Sequence, residues 1–215
     1  MKERTEQFCK EFFNLHQDLQ PLKETMLQVC ETLVKGYRNG GKLLVCGNGG
    51  SCADGDHIVG ELMKGFLLKR PLNPETQDQL KKSFGDAGAL LAEKLQCGLP
   101  AISLNAHAAL LSAFSNDVDP ELIYAQQVMG YAKKGDAVIG ISTSGNAANV
   151  GYALMAAKTA GAVSVALTGR DGGEIARIAD YSLIVPAQET YRIQEYHLIV
   201  YHFICAVIES EIFAC

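Results

Sequence analysis

A glycine-rich segment, CGNGGS at positions 46–51, directly follows a short apolar run and precedes a helical pattern. Glycines let the backbone come close to an anion, and the start of a helix offers N–H groups that bind one. The spacing matches neither the dinucleotide-binding GxGxxG pattern nor the nucleotide-binding GxxxxGK pattern. Taken alone, the segment is equally compatible with an anion-binding loop and with a tight strand-to-helix turn.

A second segment, ISTSGN at positions 141–146, also follows an apolar run and leads into a predicted helix at 145–160. Its Ser142, Thr143 and Ser144 place three hydroxyl groups before that helix. One hydroxyl is enough to cap a helix. Three of them followed by a glycine therefore favour phosphate binding over capping.

Two helical segments carry polar side chains that could bind a metal or transfer protons. His57 and Glu61 are four residues apart and share one helix face, which suits either role. For this pair alone, an exposed ion pair is the favoured interpretation. The last predicted helix, at 190–213, is apolar on nearly every side, yet Gln194, Glu195, His197 and His202 interrupt its apolar surface with polar side chains. Buried polar groups need partners, and for these alone a hydrogen-bonded core role is favoured.

The elements that must position these groups alternate between strands and helices. Five short apolar runs predict buried strands, at 42–46, 101–104, 136–142, 163–167 and 181–185. Strands joined through helices in this way lie parallel. The sequence therefore predicts an α/β fold, a three-layer sandwich around a five-stranded parallel doubly wound sheet.

Two parts of the chain fall outside this alternation. Residues 1–40 predict an N-terminal helical hairpin that packs on the sheet domain, which spans 41–215. Residues 73–99 lie between the His57/Glu61 helix and the second strand, with short helices predicted at 75–83 and 86–96. We expect this insertion to shape or cover the ligand pocket.

The fold class predicts where a ligand binds. In a doubly wound sheet, ligands bind where neighbouring loops leave the carboxyl ends of the strands in opposite directions. The loops after the first and third strands, at 46–51 and 141–146, would meet at that point. Two anion-binding loops at one crevice predict a small phosphorylated ligand.

Composition excludes several classes of protein. Of the 215 residues, 48% are hydrophobic and 20% are charged, which is typical of a packed globular chain rather than a disordered one. The net charge of −5 offers no basic surplus for a nucleic-acid backbone. The start of the chain is charged, no uninterrupted apolar stretch is long enough to span a membrane, and the seven cysteines form no CxxC pair. We therefore expect a cytoplasmic protein without membrane or nucleic-acid partners.

Five motifs occur in the order found in one known family. CGNGGS with His57 and Glu61 comes first, and four more follow: SNDV (115–118), GISTSGNAANV (140–150), LTGRDGG (167–173) and RIQEYHLIVYH (192–202). With them, the chain resembles the SIS (sugar isomerase) domain proteins and, among these, the phosphoheptose isomerases. The resemblance implies an aldose–ketose isomerase that converts sedoheptulose 7-phosphate to glycero-manno-heptose 7-phosphate through an enediol.

The resemblance also implies roles for individual residues. It implies one zinc ion per active site, held by His57, Glu61, Gln194 and His202, with Glu61 and His202 as the acid–base pair. It implies substrate contacts from both loops, from the SNDV motif and from the last helix: Asn48, Gly49, Gly50, Ser51, Glu61, Asn116, Asp117, Ser142, Thr143, Ser144 and Gln194. It further implies a homo-oligomer, a tetramer in the family.

Three departures from the family pattern leave the substrate open, and one of them is the insertion at 73–99. Ala147 stands where the family has a serine, and Tyr191 stands where it has an aspartate. An isomerase for another phosphosugar is therefore one alternative. A non-catalytic phosphosugar-binding regulator is the other, resembling a replication-initiation adaptor of the same fold. That adaptor lacks the final metal-binding histidine, whereas this chain has His202, which favours the enzyme.

The spacing of Gln194 and His202 bears on the assembly. Eight residues on one helix give a rise of about 12 Å and a rotation of roughly 80°. One ion bound by both from a single straight helix would be strained, because ligand atoms lie about 2 Å from zinc. A helix that bends or begins after Gln194 would relieve this strain, and so would a site that takes its ligands from two copies of the chain. We expect the second, an active site shared between subunits, with Glu61 and His202 on different chains. The apolar character of the last helix is consistent with a neighbouring chain.

Overall fold

A computed structural model describes residues 1–214. Nine α-helices lie in this part of the chain: α1 Glu3–Leu15, α2 Lys23–Arg38, α3 Gly50–Met63, α4 Pro74–Lys94, α5 Ala108–Asp117, α6 Ile123–Tyr131, α7 Ala148–Thr159, α8 Gly173–Ile178 and α9 Thr190–Phe213. Five strands alternate with them: β1 Leu43–Gly47, β2 Ala101–Ser103, β3 Ala137–Ser142, β4 Val163–Thr168 and β5 Tyr181–Ile184. Short 3₁₀ helices at Gln17–Leu22 and Pro120–Leu122 precede α2 and α6.

The five strands form one parallel sheet in the order β2-β1-β3-β4-β5. The predicted α/β three-layer sandwich with a doubly wound sheet is confirmed. After β1 the chain continues to β2 on one side, whereas after β3 it continues to β4 on the other, so the reversal lies between β1 and β3. That is where a doubly wound sheet binds its ligand.

Alternation along each strand divides the core between the two faces of the sheet. In β1, Leu43 and Val45 pack with α1, α2, α3 and α9 on one face. Leu44 and Cys46 point to the other face, against α6, α7 and α8. Because successive strand side chains point to opposite faces and both faces are covered, every β1 residue is buried.

The N-terminal hairpin and α9 share the first of these cores. Phe13 of α1 and Val29 of α2 belong to the same apolar cluster as Phe203 and Val207 of α9. By length and composition α9 could cross a membrane, but 61% of its most apolar window is buried inside the protein. Its apolar character is therefore satisfied largely within one chain. The apolar pattern of α9 is therefore not, by itself, evidence for a neighbouring chain.

The insertion forms a helical hairpin whose two ends lie together. Helix α4 is interrupted at Gly85, which has a non-helical backbone, so the two predicted short helices are present. At its base, Pro71 and Gln96 form an antiparallel bridge, and the Cys97 N–H donates to the Arg70 carbonyl at 2.7 Å. This base lies directly after α3, on the side away from the β1 and β3 loops. Whether the insertion covers a ligand stays a prediction.

Candidate active site

The two glycine-containing loops lie side by side at the reversal point of the sheet. Gly47 at the end of β1 pairs with Ile141 of β3, so Asn48 and Ser142 emerge next to each other. The side chains of Asn48 and Asn149 exchange two hydrogen bonds, of 2.8 and 3.0 Å, which tie the first loop to α7. The loops therefore form a single crevice at the carboxyl edge of the sheet.

The hydroxyl loop differs from its prediction in one respect. Helix α7 begins at Ala148 rather than at 145, and its N-cap, Ala147, makes no side-chain hydrogen bond. Ser142 ends β3, and the Gly145 N–H donates back to its carbonyl at 3.1 Å. The three hydroxyl groups thus belong to a turn before the helix. None of them caps α7, which excludes the capping interpretation.

A third loop, after β4, supports the hydroxyl turn from behind. Gly145 has a φ of +71°, and a side chain there would meet the Gly172 carbonyl oxygen, so this position requires glycine. The Ile175 N–H donates to the Gly145 carbonyl at 2.9 Å, and the Glu174 N–H donates to Asn146 Oδ1 at 3.1 Å. The chain then forms the short helix α8, for which the sequence shows no helical pattern.

Gln194 lies against the first loop. A Cβ atom added to Gly50 would come within 2.1 Å of Gln194 Nε2, so the amide sits where any other residue would place its side chain. Ser51, the next residue of α3, is buried. Gln194 therefore borders the β1 loop of its own chain, which the sequence predicts to bind an anion.

His57, Glu61 and His202 come together further along α3 and α9. His57 Nε2 lies 3.1 Å from Glu61 Oε1 and 3.5 Å from His202 Nε2. The three side chains offer ligand atoms that all lie within 4.8 Å of one another. The His57 side chain is 42% exposed and that of Glu61 is 12% exposed. The cluster is thus open to solvent on the His57 side and partly buried at the carboxylate.

The donor set of this cluster fits a metal ion. Two imidazole nitrogens and a carboxylate are ligands that zinc commonly takes in proteins, with further positions left for other ligands. His57 Nδ1 lies 2.9 Å from the Tyr201 hydroxyl, which lies 3.4 Å from Asp54 Oδ1. These partners leave the Nε2 atom of His57 free to face the cluster. Burial raises the pKa of Asp54 and, more strongly, that of Tyr201.

His202 lies in a half-apolar setting. The Phe66 ring is 5.3 Å from the His202 ring, and the Tyr201 ring is 5.0 Å from it. Burial is the main cause that lowers the pKa of His202, and the nearby His57 lowers it further. The Glu61 carboxylate acts in the opposite direction. The net effect favours the neutral imidazole, which can accept a proton or bind a metal.

The predicted site residues form two separate groups in the structure, and the pair Asn116 and Asp117 belongs to neither group. The first, predicted to bind the phosphate and called the anion-binding group below, contains Asn48, Gly49, Gly50, Ser51, Ser142, Thr143, Ser144 and Gln194. The second, predicted to bind the metal and called the metal-binding group, contains His57, Glu61 and His202. Asn116 and Asp117 lie exposed at the end of α5, and within residues 1–214 the Asn116 side chain bonds to Asp117 but to neither loop.

The separation of the two groups follows from helix geometry. Helices α3 and α9 run side by side in the same direction, with Gly50 opposite Gln194 and His57 opposite His202. The rise from Gln194 to His202 is about 12 Å, so Gln194 stays outside the cluster in its own chain. Glu61 and His202, by contrast, meet within one chain. The expectation that they come from different chains is therefore wrong for this pair.

Some residues around the site were not identified from the sequence. Asn149 lies inside a motif that was recognised, but its link to Asn48 depends on the pairing of β1 with β3. Tyr201 is adjacent to His202, and Asp54 precedes His57 by one turn. Their side chains become neighbours only when α3 packs on α9, which no local pattern encodes.

Comparison with known proteins gives consistent matches. The SIS domain family model matches residues 101–208. A phosphoheptose isomerase of Trichlorobacter lovleyi is 38% identical over 192 residues, covering 89% of this chain and 85% of the relative. One from Aneurinibacillus thermoaerophilus is 39% identical over 186 residues, covering 86% and 81%. The solved phosphoheptose isomerase of Neisseria gonorrhoeae is 33% identical with a TM-score of 0.72, covering 97% of this chain and 98% of that one.

Proposed function

We infer the reaction from one premise: the chain belongs to the phosphoheptose isomerases, a family of SIS-domain proteins. It is a phosphosugar isomerase, and its substrate is sedoheptulose 7-phosphate, which it converts to glycero-manno-heptose 7-phosphate. This aldose–ketose conversion moves a proton between C1 and C2 through an enediol. The observation that carries the assignment in this chain is the meeting of Glu61 and His202, with His57, within 4.8 Å.

The proton transfers fall to the two groups that can accept and release a proton. Glu61 Oε1 takes the proton from the carbon next to the carbonyl and returns it to the neighbouring carbon. His202 Nε2 moves protons between the two sugar oxygens on the other side. The mutual distances of the cluster support this division, because both groups can reach one small substrate at the same time.

A zinc ion would be held by His57, Glu61 and His202. When bound, it polarises the sugar carbonyl and stabilises the negative charge that develops on the oxygens. The chain contributes the two imidazoles and the carboxylate, and Tyr201 fixes the His57 ring from behind. The assignment of zinc rather than another divalent metal rests on the donor set.

The substrate phosphate is held at the crevice between the β1 and β3 loops. Ser142, Thr143 and Ser144 supply hydroxyl groups, and Asn48, Gly49 and Gly50 supply backbone and amide groups. Gln194, lying against Gly50, contacts the substrate in the same region. Binding energy gained at the phosphate positions the reacting carbons at the acid–base pair.

We further propose that the active site is completed by a second copy of the chain in a homotetramer. Gln194 lies against Gly50, away from the metal-binding group of its own chain, and among residues 1–214 the Asn116 side chain bonds to Asp117 but to neither loop. Mixed oligomers of Gln194→Ala and Glu61→Ala chains test this. Activity regained in verified hybrids means that Gln194 acts across the interface, whereas no regain means that it acts within its own chain.

Turnover of sedoheptulose 7-phosphate, with and without added Zn²⁺, tests the function directly. We expect product formation that stops when the metal is chelated and is lost in Glu61→Gln and in His202→Asn. A panel of ketose phosphates tests the first alternative, since Ala147 and Tyr191 alter the family pattern. Binding without turnover of any phosphosugar would support the regulatory alternative.

We place the protein in the cytoplasm, without membrane or nucleic-acid partners.

A further inference from the structure

A buried ion pair joins α9 to the segment after α3. Arg70 Nε donates to Glu209 Oε1 at 2.7 Å, and the two side chains are 0% and 1% exposed. Neither residue belongs to the two groups that form the candidate site. A buried ion pair often adds little to stability, because removing two charges from water costs about as much as their attraction returns. What this pair holds in place is therefore more informative than its strength.

Glu209 organises the loop that follows α3. Its Oε1 accepts the N–H of Phe66 at 2.8 Å, and its Oε2 accepts the N–H groups of Leu67 and Leu68 at 2.7 and 3.0 Å. The Glu209 carboxylate thus accepts from three consecutive backbone amides as well as from the Arg70 guanidinium group. This arrangement fixes the path of the backbone at Phe66.

Arg70 holds the other end of the same region. Its two terminal nitrogens donate to the carbonyl of Leu62 at 2.7 Å and to that of Glu61 at 3.2 Å. These carbonyls belong to the last turn of α3, where a cation is also favoured by the helix dipole. The guanidinium group therefore fixes the turn of helix that carries the Glu61 carboxylate.

The pair also bears on His202. Glu209 follows His202 by seven residues, which places both on nearly the same face of α9. The Phe66 ring, whose backbone Glu209 holds, lies 5.3 Å from the His202 ring. One buried network thus sets the position of Glu61 through its backbone and the position of His202 through an aromatic contact.

We propose that Arg70 and Glu209 are positioning residues that hold Glu61 and His202 at the separation needed for metal binding and proton transfer. The proposal rests on the proposed isomerase function. It predicts that breaking the pair lowers kcat and metal affinity but leaves phosphate binding unchanged, because nothing in the network touches the β1 or β3 loops.

Asp136 offers a matched control. It too is a buried carboxylate that holds backbone amides and one cation, since it accepts the N–H groups of Lys42 and Lys133 and pairs with the Lys42 ammonium group. It precedes β3 and so lies at the amino edge of the sheet, about 20 Å from the hydroxyl loop at the other end of that strand. Asp136→Asn should therefore weaken the fold without affecting the site.

The experiment compares Glu209→Gln and Asp136→Asn in the full-length protein. Zn²⁺ affinity is measured by competition with a chelator, kcat and KM with sedoheptulose 7-phosphate, and stability by urea unfolding. We expect Glu209→Gln to lower both Zn²⁺ affinity and kcat at least tenfold while KM changes less than twofold. We expect Asp136→Asn to leave all three site parameters within twofold of the wild type at a similar loss of stability.

A Glu209→Gln protein with wild-type Zn²⁺ affinity and kcat would overturn the proposal, as would equal losses in Asp136→Asn. Should Glu209→Gln not fold, Arg70→Lys and Phe66→Leu leave the carboxylate in place and carry the same expectations. The Zn²⁺ measurement needs no turnover. A wild-type protein that binds Zn²⁺ but isomerises no phosphosugar would therefore count against the proposed function, while the positioning role is still decided by metal affinity.

Discussion

The Nδ1 atom of His57 lies 2.9 Å from the hydroxyl oxygen of Tyr201. The same hydroxyl donates to Asp54 Oδ1 at 3.4 Å. If His57 donates from Nδ1, its Nε2 atom carries a lone pair that faces Glu61 and His202. A histidine that binds a metal commonly donates its other ring N–H in this way, and the partner fixes both the tautomer and the ring orientation.

Tyr201→Phe removes this partner without changing the size of the side chain. We expect Zn²⁺ affinity to fall by about 10- to 100-fold, the usual cost of losing a hydrogen bond to a metal ligand. A chelator competition titration measures it. Tyr181→Phe is the control, because the Tyr181 hydroxyl lies at the amino end of β5, away from the cluster, where it accepts from the Thr32 hydroxyl at 3.3 Å. Equal affinities for the two variants would contradict a role for Tyr201 in orienting His57.

Ser144→Ala tests the phosphate site. A hydrogen bond to a charged group contributes about 1.5–3 kcal/mol, so KM for the phosphosugar should rise by about tenfold or more. We expect kcat to change less than twofold, because Ser144 lies apart from the acid–base pair. Thr159→Ala, which removes an exposed hydroxyl at the far end of α7, serves as control. If both KM and inhibition by inorganic phosphate are unchanged, Ser144 does not bind the substrate phosphate.

The fold could be predicted from the sequence because the apolar strand runs and the helical patterns between them are both typical of a parallel α/β sheet. The strand patterns lie within one or two residues of the observed strands, and α9 spans the predicted 190–213. The start of α7 was placed three residues early, since Gly145 and Asn146 resemble the first turn of a helix but instead hold the loop after β4. Helix α8 was not predicted because its six residues are too short to show a period.

The candidate site could be predicted only in part. Residue types and order indicate His57, Glu61 and His202 as candidate metal ligands, but each alone is better explained as an ordinary polar residue. Their convergence depends on α3 packing along α9, which the sequence does not reveal. The assignment of Glu61 and His202 to different chains came from the Gln194 spacing. It is corrected by the cluster itself, in which Glu61 and His202 of one chain offer ligand atoms within 4.8 Å of each other.

Ala147→Ser tests a place where this chain departs from the family pattern. Ala147 is the N-cap of α7, with φ −73° and ψ 111°, and it makes no side-chain hydrogen bond. A serine in that backbone conformation can accept from an N–H of the first turn, which stabilises a helix by about 1 kcal/mol. We expect the free energy of unfolding in urea to rise by about that amount. A lower value would show that the added hydroxyl disturbs the neighbouring turn.

His197 predicts a specific dependence of stability on pH. The residue is 0% exposed, and neither ring nitrogen has a hydrogen-bond partner among residues 1–214. Burial lowers its pKa to about 4, although the nearby backbone of Thr168 acts in the opposite direction. In the unfolded chain a histidine has a pKa of about 6.5. Between these two values the unfolded state binds a proton that the native state does not, so stability is full above about pH 6.5 and falls as the pH decreases toward 4.

His197→Leu removes this proton and replaces a ring without hydrogen bonds by an apolar side chain. Leucine should therefore cost little at pH 7.5, because no hydrogen bond is lost. At pH 4.5 the wild type should have lost up to about 3 kcal/mol through His197, a loss that the variant does not share. Urea unfolding of both proteins from pH 7.5 to 4.5 measures the difference. If the free energies of the two proteins fall in parallel over this range, His197 is already protonated in the native state or has a partner that the structure does not show.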